Sequence, residues 1–235
     1  MTLSKIAWGD VDTFIFDMDG TLLDLHFDNQ VWNHLLPSKL ASKHNIDKMS
    51  ATKIIENLLE QNKKSLNWYS LEYWSRTLDL SLVEIENELE YLITLRSGAK
   101  TLLEKLKQGG FNLTLATNAS LKSMDKKLEI TAIRKYFDHV CNAHEIGYCK
   151  EQIEFWTKLS SSTQCNFKTT ILVDDNLDVL ETAQLCGIKN TFGIARPNSH
   201  GEGKKSNQFY LIRDLDDISP TNHNDIEYAN DKDSR

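Results

Sequence analysis

The chain has 235 residues, 40% of them hydrophobic, and a formal net charge of −7. This length and composition are typical of one large domain, or of a domain that carries a smaller insertion, with a packed core. The charge is uneven, because residues 214–235 contain seven acidic and two basic side chains and leave about −2 on residues 1–213. The nearly neutral body argues against a surface for a nucleic-acid polymer, and we expect no such partner.

Sequence features that would indicate a membrane protein, a secreted protein or a zinc protein are missing. No run of about 18 apolar residues could form a membrane-spanning helix, and residues 1–10 lack the basic start and apolar stretch of a signal peptide. The four cysteines show no CxxC spacing, and the seven histidines show no HxH or HExxH pattern. We therefore expect a cytoplasmic protein with free thiols, no membrane partner and no zinc site.

Three apolar runs predict strands of one parallel sheet. They cover residues 11–17, 111–117 and 170–175, and their apolar character suits strands that are buried on both faces. Each run ends in a polar or acidic residue, and the carboxyl ends of the strands are where a doubly wound sheet places its ligand site. The sequence of residues 188–195 indicates one further strand.

Helical periodicity fills the intervals between these strands. Leucines recur at helical spacing in residues 99–108, and similar patterns begin at Leu121 and Leu177. This alternation predicts an α/β fold, a Rossmann-like doubly wound parallel sheet. Residues 24–96 break the alternation, because they contain no predicted strand and no glycine, and their apolar residues recur at helical spacing. We expect an α/β core, a helical insertion and an acidic, poorly ordered tail, at residues 1–23 with 97–213, at 24–96 and at 214–235 respectively.

Two pairs of carboxylates stand at the ends of predicted strands. Asp17 and Asp19 are two residues apart, so their side chains can project to the same side, and Gly20 permits a tight turn after them. Asp174 and Asp175 end another strand. Close carboxylates repel each other unless a cation compensates them, and oxygen ligands without histidine or cysteine favour Mg²⁺. The sequence therefore predicts a Mg²⁺ site built from these aspartates.

Polar and basic groups at other predicted strand ends predict a binding site for a phosphoryl group. Thr117 and Asn118 offer a hydroxyl and an amide, and Lys150 offers a cation after a Gly-Tyr-Cys segment. A hydroxyl, an amide and an ammonium beside a metal suit a phosphoryl group. We interpret the whole set as nucleophile, acid/base, metal ligands and phosphate-binding groups.

Four motifs in consistent order resemble those of the haloacid dehalogenase-like hydrolase superfamily. The segment DMDGTL at 17–22 resembles its first motif, and the apolar strand that ends at Thr117 resembles its second. Lys150 resembles the third motif, and the pair Asp174 and Asp175 resembles the fourth. The resemblance implies that the helical insertion is the cap of that superfamily.

The same resemblance implies a role for each residue. Asp17 would attack phosphorus and form an aspartyl phosphate, and Asp19 would act first as general acid and then as general base. Mg²⁺ would be held by Asp17, the backbone carbonyl of Asp19 and Asp175, with Asp174 close by. Lys150 would offset charge on the phosphate.

A narrower resemblance to bacterial GMP/IMP 5′-nucleotidases of this superfamily rests on three segments, at residues 8–12, 23–29 and 66–75. It implies that the small phosphorylated substrate is a nucleoside monophosphate, GMP or IMP. Trp68, Tyr69 and Tyr73 would then stack on a purine, although aromatic residues at this helical spacing can equally pack the cap helices together. Cys149 departs from the proline that this family usually has before the motif lysine.

Other interpretations of these residues stay open. The enzyme can be a sugar-phosphate phosphatase or a phosphomutase, and the protein can also be a scaffold that binds a phosphorylated ligand without turnover. A haloacid dehalogenase needs neither a metal nor a second aspartate, so Asp19 argues against that activity. Asp174 and Asp175 can also cap the following helix, which is compatible with metal binding. An EF-hand loop is excluded, because the glycine is the fourth residue of the segment rather than the sixth.

Overall fold

The computed structural model describes residues 8–219 of the protein. Its strands are β1 (Thr13–Phe16), β2 (Asn112–Thr117), β3 (His139–Asn142), β4 (Thr170–Val173), β5 (Asn190–Ile194) and β6 (Tyr210–Ile212). They form one parallel sheet in the order β3-β2-β1-β4-β5-β6. The chain leaves β1 in both directions across the sheet, first to β2 and β3 and later to β4, β5 and β6. The predicted doubly wound α/β fold is confirmed.

The register of the central strands brings their carboxyl ends to one edge of the sheet. All four residues of β1 are buried, as a strand covered on both faces requires. Phe16 pairs with Leu115 of β2 on one side and with Val173 of β4 on the other. The next residue, Asp17, donates its backbone N–H to the carbonyl of Val173 at 3.0 Å. The residues that follow β1 and β4 therefore lie side by side.

The predicted helical insertion contains only helices and turns between its two ends. Its helices are α1 (His26–Gln30), which continues into a π-helical turn (Val31–Leu35), α2 (Leu36–His44), α3 (Lys48–Asn62), α4 (Leu66–Tyr69), α5 (Leu71–Leu78) and α6 (Leu82–Glu88), and a 3-10 turn (Glu90–Leu92) follows. Asp47, Ser70 and Ser81 begin three of these helices by accepting a backbone N–H of the first turn. We call this segment the cap.

The chain passes between the sheet and the cap twice, and the two crossings pair with each other. Leu23 and Leu95 form an isolated antiparallel bridge. Hydrogen bonds that Asp24 and Arg96 donate from their backbone N–H groups, at 3.0 and 2.9 Å, flank this bridge. We call these paired crossings, residues 22–24 and 94–96, the hinge. They coincide with the predicted limits of the insertion, whose division from the core stays a prediction.

Five further helices cover the two faces of the sheet. They are α7 (Ala99–Gln108), α8 (Leu121–Thr131), α9 (Ala143–Ile146), α10 (Ile153–Thr163) and α11 (Leu177–Leu185). Phe14 and Phe16 share a buried cluster with Leu102 of α7 and with Trp74 of the cap. Ile15, which points to the opposite face, belongs to a second cluster with residues of α10 and α11. No helix within residues 8–219 is long and apolar enough to cross a membrane.

Two strands of the sheet were not predicted from the sequence. Strand β3 has four residues, of which His139 is exposed and Val140 is half-buried. Strand β6 has three residues and forms the other edge of the sheet. Edge strands of this length lack the continuous apolar run that identified the central strands, so pairing with a neighbour rather than local pattern determines them.

The prediction of a poorly ordered acidic tail is wrong for residues 214–219. Asp214 begins a 3-10 turn (Leu215–Ile218), and its side chain accepts the backbone N–H of Asp217 in a capping box. Leu215 and Ile218 are 1% and 0% exposed and belong to the main core cluster. The hydrophobic effect of burying these two side chains outweighs the surrounding acidic charge. Residues 220–235 of the predicted tail lie outside the described residues.

Candidate active site

Three aspartates meet at the edge of the sheet where β1 and β4 end. Asp17 follows β1, and Asp174 and Asp175 follow β4. One carboxylate oxygen of each residue lies within 4.8 Å of the other two, and Asp17 and Asp174 are buried. The donor set consists of oxygen atoms alone, which suits a hard divalent cation such as Mg²⁺. The structure thus brings these three predicted residues together.

Burial raises the pKa of all three carboxyl groups. The pKa of Asp17 rises to about 7, because burial and the neighbouring Asp174 outweigh the effect of the Lys150 ammonium. The pKa values of Asp174 and Asp175 rise to about 6, again mainly through burial. A bound divalent cation would favour the ionised carboxylates and would compete with protons for the site.

Lys150 lies between two of these carboxylates. Its ammonium donates to Oδ1 of Asp17 at 2.5 Å and to Oδ2 of Asp174 at 2.7 Å, and its side chain is 3% exposed. Burial alone would lower the pKa of this lysine, but the two carboxylates outweigh burial and raise the pKa above its ordinary value. The predicted cation, Lys150, therefore lies between two of the candidate metal ligands. Its ammonium group stays charged at neutral pH.

The second oxygen of Asp17 is buried without a hydrogen bond. Oδ2 has no donor among the described residues, while Oδ1 is bonded to Lys150. An unsatisfied buried carboxylate oxygen is costly unless a ligand completes it. This oxygen therefore fits a site that receives a metal ion or a phosphorus centre.

Gly20 permits the close approach of the loop after β1 to Asp175. Its φ of +83° lies in the left-handed region, and a Cβ atom at this position would lie 2.8 Å from Cγ of Asp175. A side chain here would displace a carboxylate of the three-aspartate cluster. The DxDG pattern thus has a steric reason for its glycine as well as a conformational one.

Thr117 and Asn118 lie beside Lys150, but Asn118 is already engaged. The hydroxyl oxygen of Thr117 accepts the backbone N–H of Ala119 at 3.1 Å and its hydrogen remains available. Oδ1 of Asn118 accepts the backbone N–H of Lys150 at 2.9 Å, and its Nδ2 donates to Oε2 of Glu151 at 3.0 Å. Both residues line the same cavity as the three aspartates, and Asn118 also positions the chain around the motif lysine.

The Asp19 carboxylate lies outside the three-aspartate cluster and forms an ion pair with Lys127. The ammonium of Lys127 donates to Oδ1 of Asp19 at 2.7 Å and to Oδ1 of Asp28, a cap residue, at 2.8 Å. The Asp19 carboxylate is not part of the cluster, so the metal role implied for this residue falls on its backbone carbonyl alone. Its side chain lines the same cavity as the three aspartates.

Lys127 was missed by sequence reasoning. It lies on α8 with 2% exposure, and its ammonium is also 5.0 Å from the ring centroid of Phe27. Burial would lower its pKa, but the carboxylates of Asp19 and Asp28 outweigh burial and raise it. The only local signal is a lysine three residues after Met124 on the apolar face of a helix.

Glu151 was also missed, and it joins the cap to the core. Its Oε1 accepts the hydroxyl of Tyr69 at 2.5 Å and Nδ2 of Asn176 at 3.2 Å. Burial and this carboxylate raise the pKa of Tyr69 above its ordinary value, so the hydroxyl stays a donor. A glutamate next to the motif lysine carries no periodic or motif signal of its own.

The three aspartates and Lys150 line a cavity of about 560 Å³ beneath the cap, which we call the catalytic cavity. Trp32, Trp68 and Tyr69 of the cap also line it. Tyr73 does not: its ring packs 5.2 Å from that of Trp74 and against the main core cluster. The predicted aromatic group is therefore divided, because α5 turns Tyr73 toward the core while α4 presents Trp68 and Tyr69 to the cavity.

Cys149 occupies the position before the motif lysine. Its thiol lies 3.3 Å from both the carbonyl of Lys64 and Oε1 of Gln152, and burial raises its pKa to about 12. The thiol is therefore a neutral packing group. All four cysteines are free thiols.

Sequence comparison identifies the class of protein that carries this site. Residues 14–192 match the family of haloacid dehalogenase-like hydrolases. The match covers more than half of the chain, and the chain belongs to this family. It is a hydrolase of the phosphatase type.

The chain is also similar to individual proteins of this family. The chain is 33% identical over 217 residues to the GMP/IMP nucleotidase YrfG of Escherichia coli (strain K12), and equally to that of Shigella flexneri. The alignment covers 92% of this chain and 98% of each relative. Among solved structures, a HAD phosphatase from Thermococcus onnurineus superposes with a TM-score of 0.71 at 19% identity, over 86% of this chain and 93% of the other. That likeness supports the fold.

Proposed function

We propose that the protein is a cytoplasmic, Mg²⁺-dependent 5′-nucleotidase that hydrolyses purine nucleoside monophosphates through an aspartyl phosphate on Asp17. One observation carries the proposal: the Asp17 carboxylate, with Oδ1 bonded to Lys150 and Oδ2 without a donor among the described residues, lines a cavity that aromatic cap residues also line. The identity to two GMP/IMP nucleotidases supports the choice of substrate.

The residues present fit Mg²⁺. Asp17 and Asp175 would supply carboxylate oxygens, Asp19 its backbone carbonyl, and Asp174 would stay bonded to Lys150 close by. When bound, the ion neutralises charge on the phosphate and lets an anionic nucleophile approach it. All remaining chemistry belongs to side chains of the chain itself.

In the first half-reaction Asp17 forms a bond from a carboxylate oxygen to phosphorus as the bond from phosphorus to the 5′ oxygen of the nucleoside breaks. Asp19 donates a proton to that leaving oxygen. Lys150 holds the nucleophile in place and, with the hydroxyl of Thr117, faces the phosphoryl oxygens. The nucleoside departs, and Asp17 carries the phosphoryl group.

In the second half-reaction Asp19 accepts a proton from a water molecule. The water oxygen bonds to phosphorus, the bond from Asp17 to phosphorus breaks, and orthophosphate leaves. Lys127 holds the Asp19 carboxylate in the cavity at 2.7 Å. It is a positioning residue for this step, because an ion pair restricts where the carboxylate can reach.

The cap side of the cavity supplies the contact for the base. Trp68 and Tyr69 present aromatic surface to the cavity, and a purine has the larger stacking surface of the two base classes. Asn29 and Asn33, which also line the cavity, offer amide groups for the polar edge of a base. A sugar phosphate lacks a group that would use this surface.

A substrate panel tests the proposal. With Mg²⁺ present, kcat/KM for GMP and IMP should exceed that for AMP, UMP and glucose 6-phosphate, and EDTA should abolish turnover until Mg²⁺ is restored. Asp17→Asn should be folded and inactive on every substrate. A preference for glucose 6-phosphate over all nucleotides would replace the nucleotidase proposal with a sugar-phosphate phosphatase, and full activity in EDTA would overturn the metal assignment.

A further inference from the structure

A second cavity, separate from the catalytic one, lies beside the hinge. It has a volume of about 610 Å³ and is formed by the hinge together with the loops that follow β5 and β6. Five cationic side chains and two carboxylates line it. The cations are Arg96, Arg196, Lys204, Lys205 and Arg213. We call it the hinge cavity.

The two carboxylates of the hinge cavity are already bonded to backbone donors. Asp24 accepts the backbone N–H groups of His26 and Ser199 at 2.9 and 3.1 Å. Asp214 accepts a backbone N–H at the start of the last 3-10 turn. Arg196, Lys205 and Arg213, in contrast, form no ion pair with another residue in the range 8–219. Asp24 and Asp214 also act electrostatically on Arg96, but five cations outnumber two carboxylates, so the lining of the cavity keeps a net positive charge.

Arg96 adds a fixed donor to this charge. Its Nη1 donates to the carbonyls of Arg196 and Pro197 at 2.6 and 3.0 Å, which holds the guanidinium in place. Its Nε is buried and has no acceptor among the described residues. A buried donor without an acceptor is unfavourable, and an oxyanion is a good acceptor for a guanidinium.

From this arrangement we propose that the hinge cavity is a second ligand site, which binds the dianionic oxyanion of a small phosphorylated molecule or of free phosphate. Lys204 lines both cavities, and it contacts Asp175 through the backbone carbonyl and, at 3.5 Å, through Oδ2. A ligand that engages Lys204 and Arg96 would thus touch the hinge and a cation beside the three-aspartate cluster. The site does not depend on the nucleotidase proposal.

The two cavities can be distinguished by charge when no metal is present. At pH 8, above the raised pKa values of its aspartates, the six carboxylates of the catalytic cavity outnumber its three ammonium groups, so the metal-free protein repels an anion there. The hinge cavity has the opposite balance. In EDTA a simple oxyanion should therefore bind at the hinge cavity alone.

Equilibrium dialysis of the full chain with radiolabelled sulfate, in EDTA at pH 8 and low ionic strength, tests the site. We expect saturable binding of one sulfate per chain that weakens as NaCl is added. Arg196→Ala with Arg213→Ala should weaken binding at least tenfold, whereas Arg196→Lys with Arg213→Lys, which keeps the charge, should stay within about threefold. Arg76→Ala with Lys168→Ala removes two exposed cations outside both cavities and should bind as the wild type does.

The outcomes separate the possibilities. Displacement of sulfate by orthophosphate but not by AMP would support the proposal with free phosphate as ligand, and stronger displacement by AMP would support it with a nucleotide. Wild-type binding without saturation, or equal binding by the Arg196→Ala, Arg213→Ala variant, would overturn it. Phosphatase activity is not needed for this assay, so a failed nucleotidase proposal would leave its result intact.

Discussion

At Asp17 three neighbours determine what one carboxylate can do. Lys150 holds Oδ1, Asp174 lies on the other side of that lysine, and Oδ2 has no partner within the described part of the chain. Because Asp17 is buried, its protonation and its pairing are linked. The residue therefore combines a fixed orientation with an oxygen that is free to react.

The raised pKa values predict how cation binding depends on pH. Asp17 titrates near 7 and Asp174 and Asp175 near 6, so below pH 6 protons occupy the site that a cation needs. The affinity for Mg²⁺ should rise steeply from pH 5 to about 7.5 and then level off. Isothermal titration in buffers of different ionisation enthalpy should show proton release on binding near pH 6. An affinity that is constant over this range would contradict the assignment.

The same raised pKa values predict how the free energy of unfolding of the metal-free protein changes with pH. Carboxyl groups whose pKa is raised on folding stabilise the folded state below their unfolded pKa values, and this contribution is lost as pH rises through the folded values. The free energy of unfolding in EDTA should therefore fall from pH 4 to about 7 at these groups. Asp174→Asn, which removes one of them, should make this fall shallower in urea titrations. An unchanged slope would assign the pH dependence to other residues.

Two tyrosines that look alike in sequence should behave differently. Tyr69→Phe removes a hydrogen bond to Glu151, and Glu151 retains Asn118 and Asn176 as donors, so the expected cost is about 1–2 kcal/mol. Tyr69→Phe should also raise KM for GMP, because Tyr69 lines the cavity. Tyr73→Phe is the matched control, with little change in either quantity, since Tyr73 is outside the cavity. Equal effects of the two variants on KM would contradict the division of the aromatic group.

At the level of elements, α8 connects Asp19, the proposed acid/base residue, to the cap. Lys127 on this helix bridges Asp19, after β1, and Asp28, on α1, through one buried ammonium. Lys122, one and a half turns earlier, bridges the same helix to Glu72 on α5 through an exposed pair at 3.6 Å. Burial, not the presence of an ion pair, separates these two contacts.

The difference in burial between Lys127 and Lys122 predicts different effects of replacing each lysine by methionine. Lys127→Met leaves the partly buried carboxylates of Asp19 and Asp28 without their buried cation and should lower the free energy of unfolding by about 3–5 kcal/mol at neutral pH. Lys122→Met should lower it by less than about 1 kcal/mol. Urea denaturation followed by circular dichroism measures both. Similar small losses would mean that water or other side chains compensate the Asp19 and Asp28 charges.

The elements that the sequence predicts best are those determined by local pattern. Residues 13–16 are buried at every position, so the apolar run alone identifies β1 and places Asp17 at its end. Asp174 and Asp175 follow from β4 in the same way. Strand β3, with an exposed His139, and the turn that buries Leu215 depend on their neighbours and could not be read locally.

Residues that act across long sequence separations were the ones missed. Lys127 contacts a residue 108 positions away, and Tyr69 and Glu151 are 82 positions apart. A lysine in a helix or a glutamate in a loop is solvated in most proteins, so composition predicts neither contact. These contacts become visible only in the folded structure, where the chain after β1 lies beside α8.

At the scale of the whole molecule, one edge of the sheet serves both chemistry and the placement of the cap. The strand ends carry the three-aspartate cluster, and the hinge lies between this edge and the cap. The cap in turn covers a cavity of about 560 Å³, a size that suits a small metabolite rather than a polymer. Closure of such a cavity would exclude water until the nucleoside has left.

The most direct test of the central claim is to trap the phosphorylated enzyme. Wild-type protein mixed with GMP and Mg²⁺, quenched in acid and reduced with borohydride, should carry homoserine in place of Asp17 in peptide mass spectra, because borohydride reduces an acyl phosphate. Protein without GMP, and Asp17→Asn with GMP, should carry none. Modification at another residue, or GMP hydrolysis by Asp17→Asn at the wild-type rate, would contradict the assignment of Asp17 as the nucleophile.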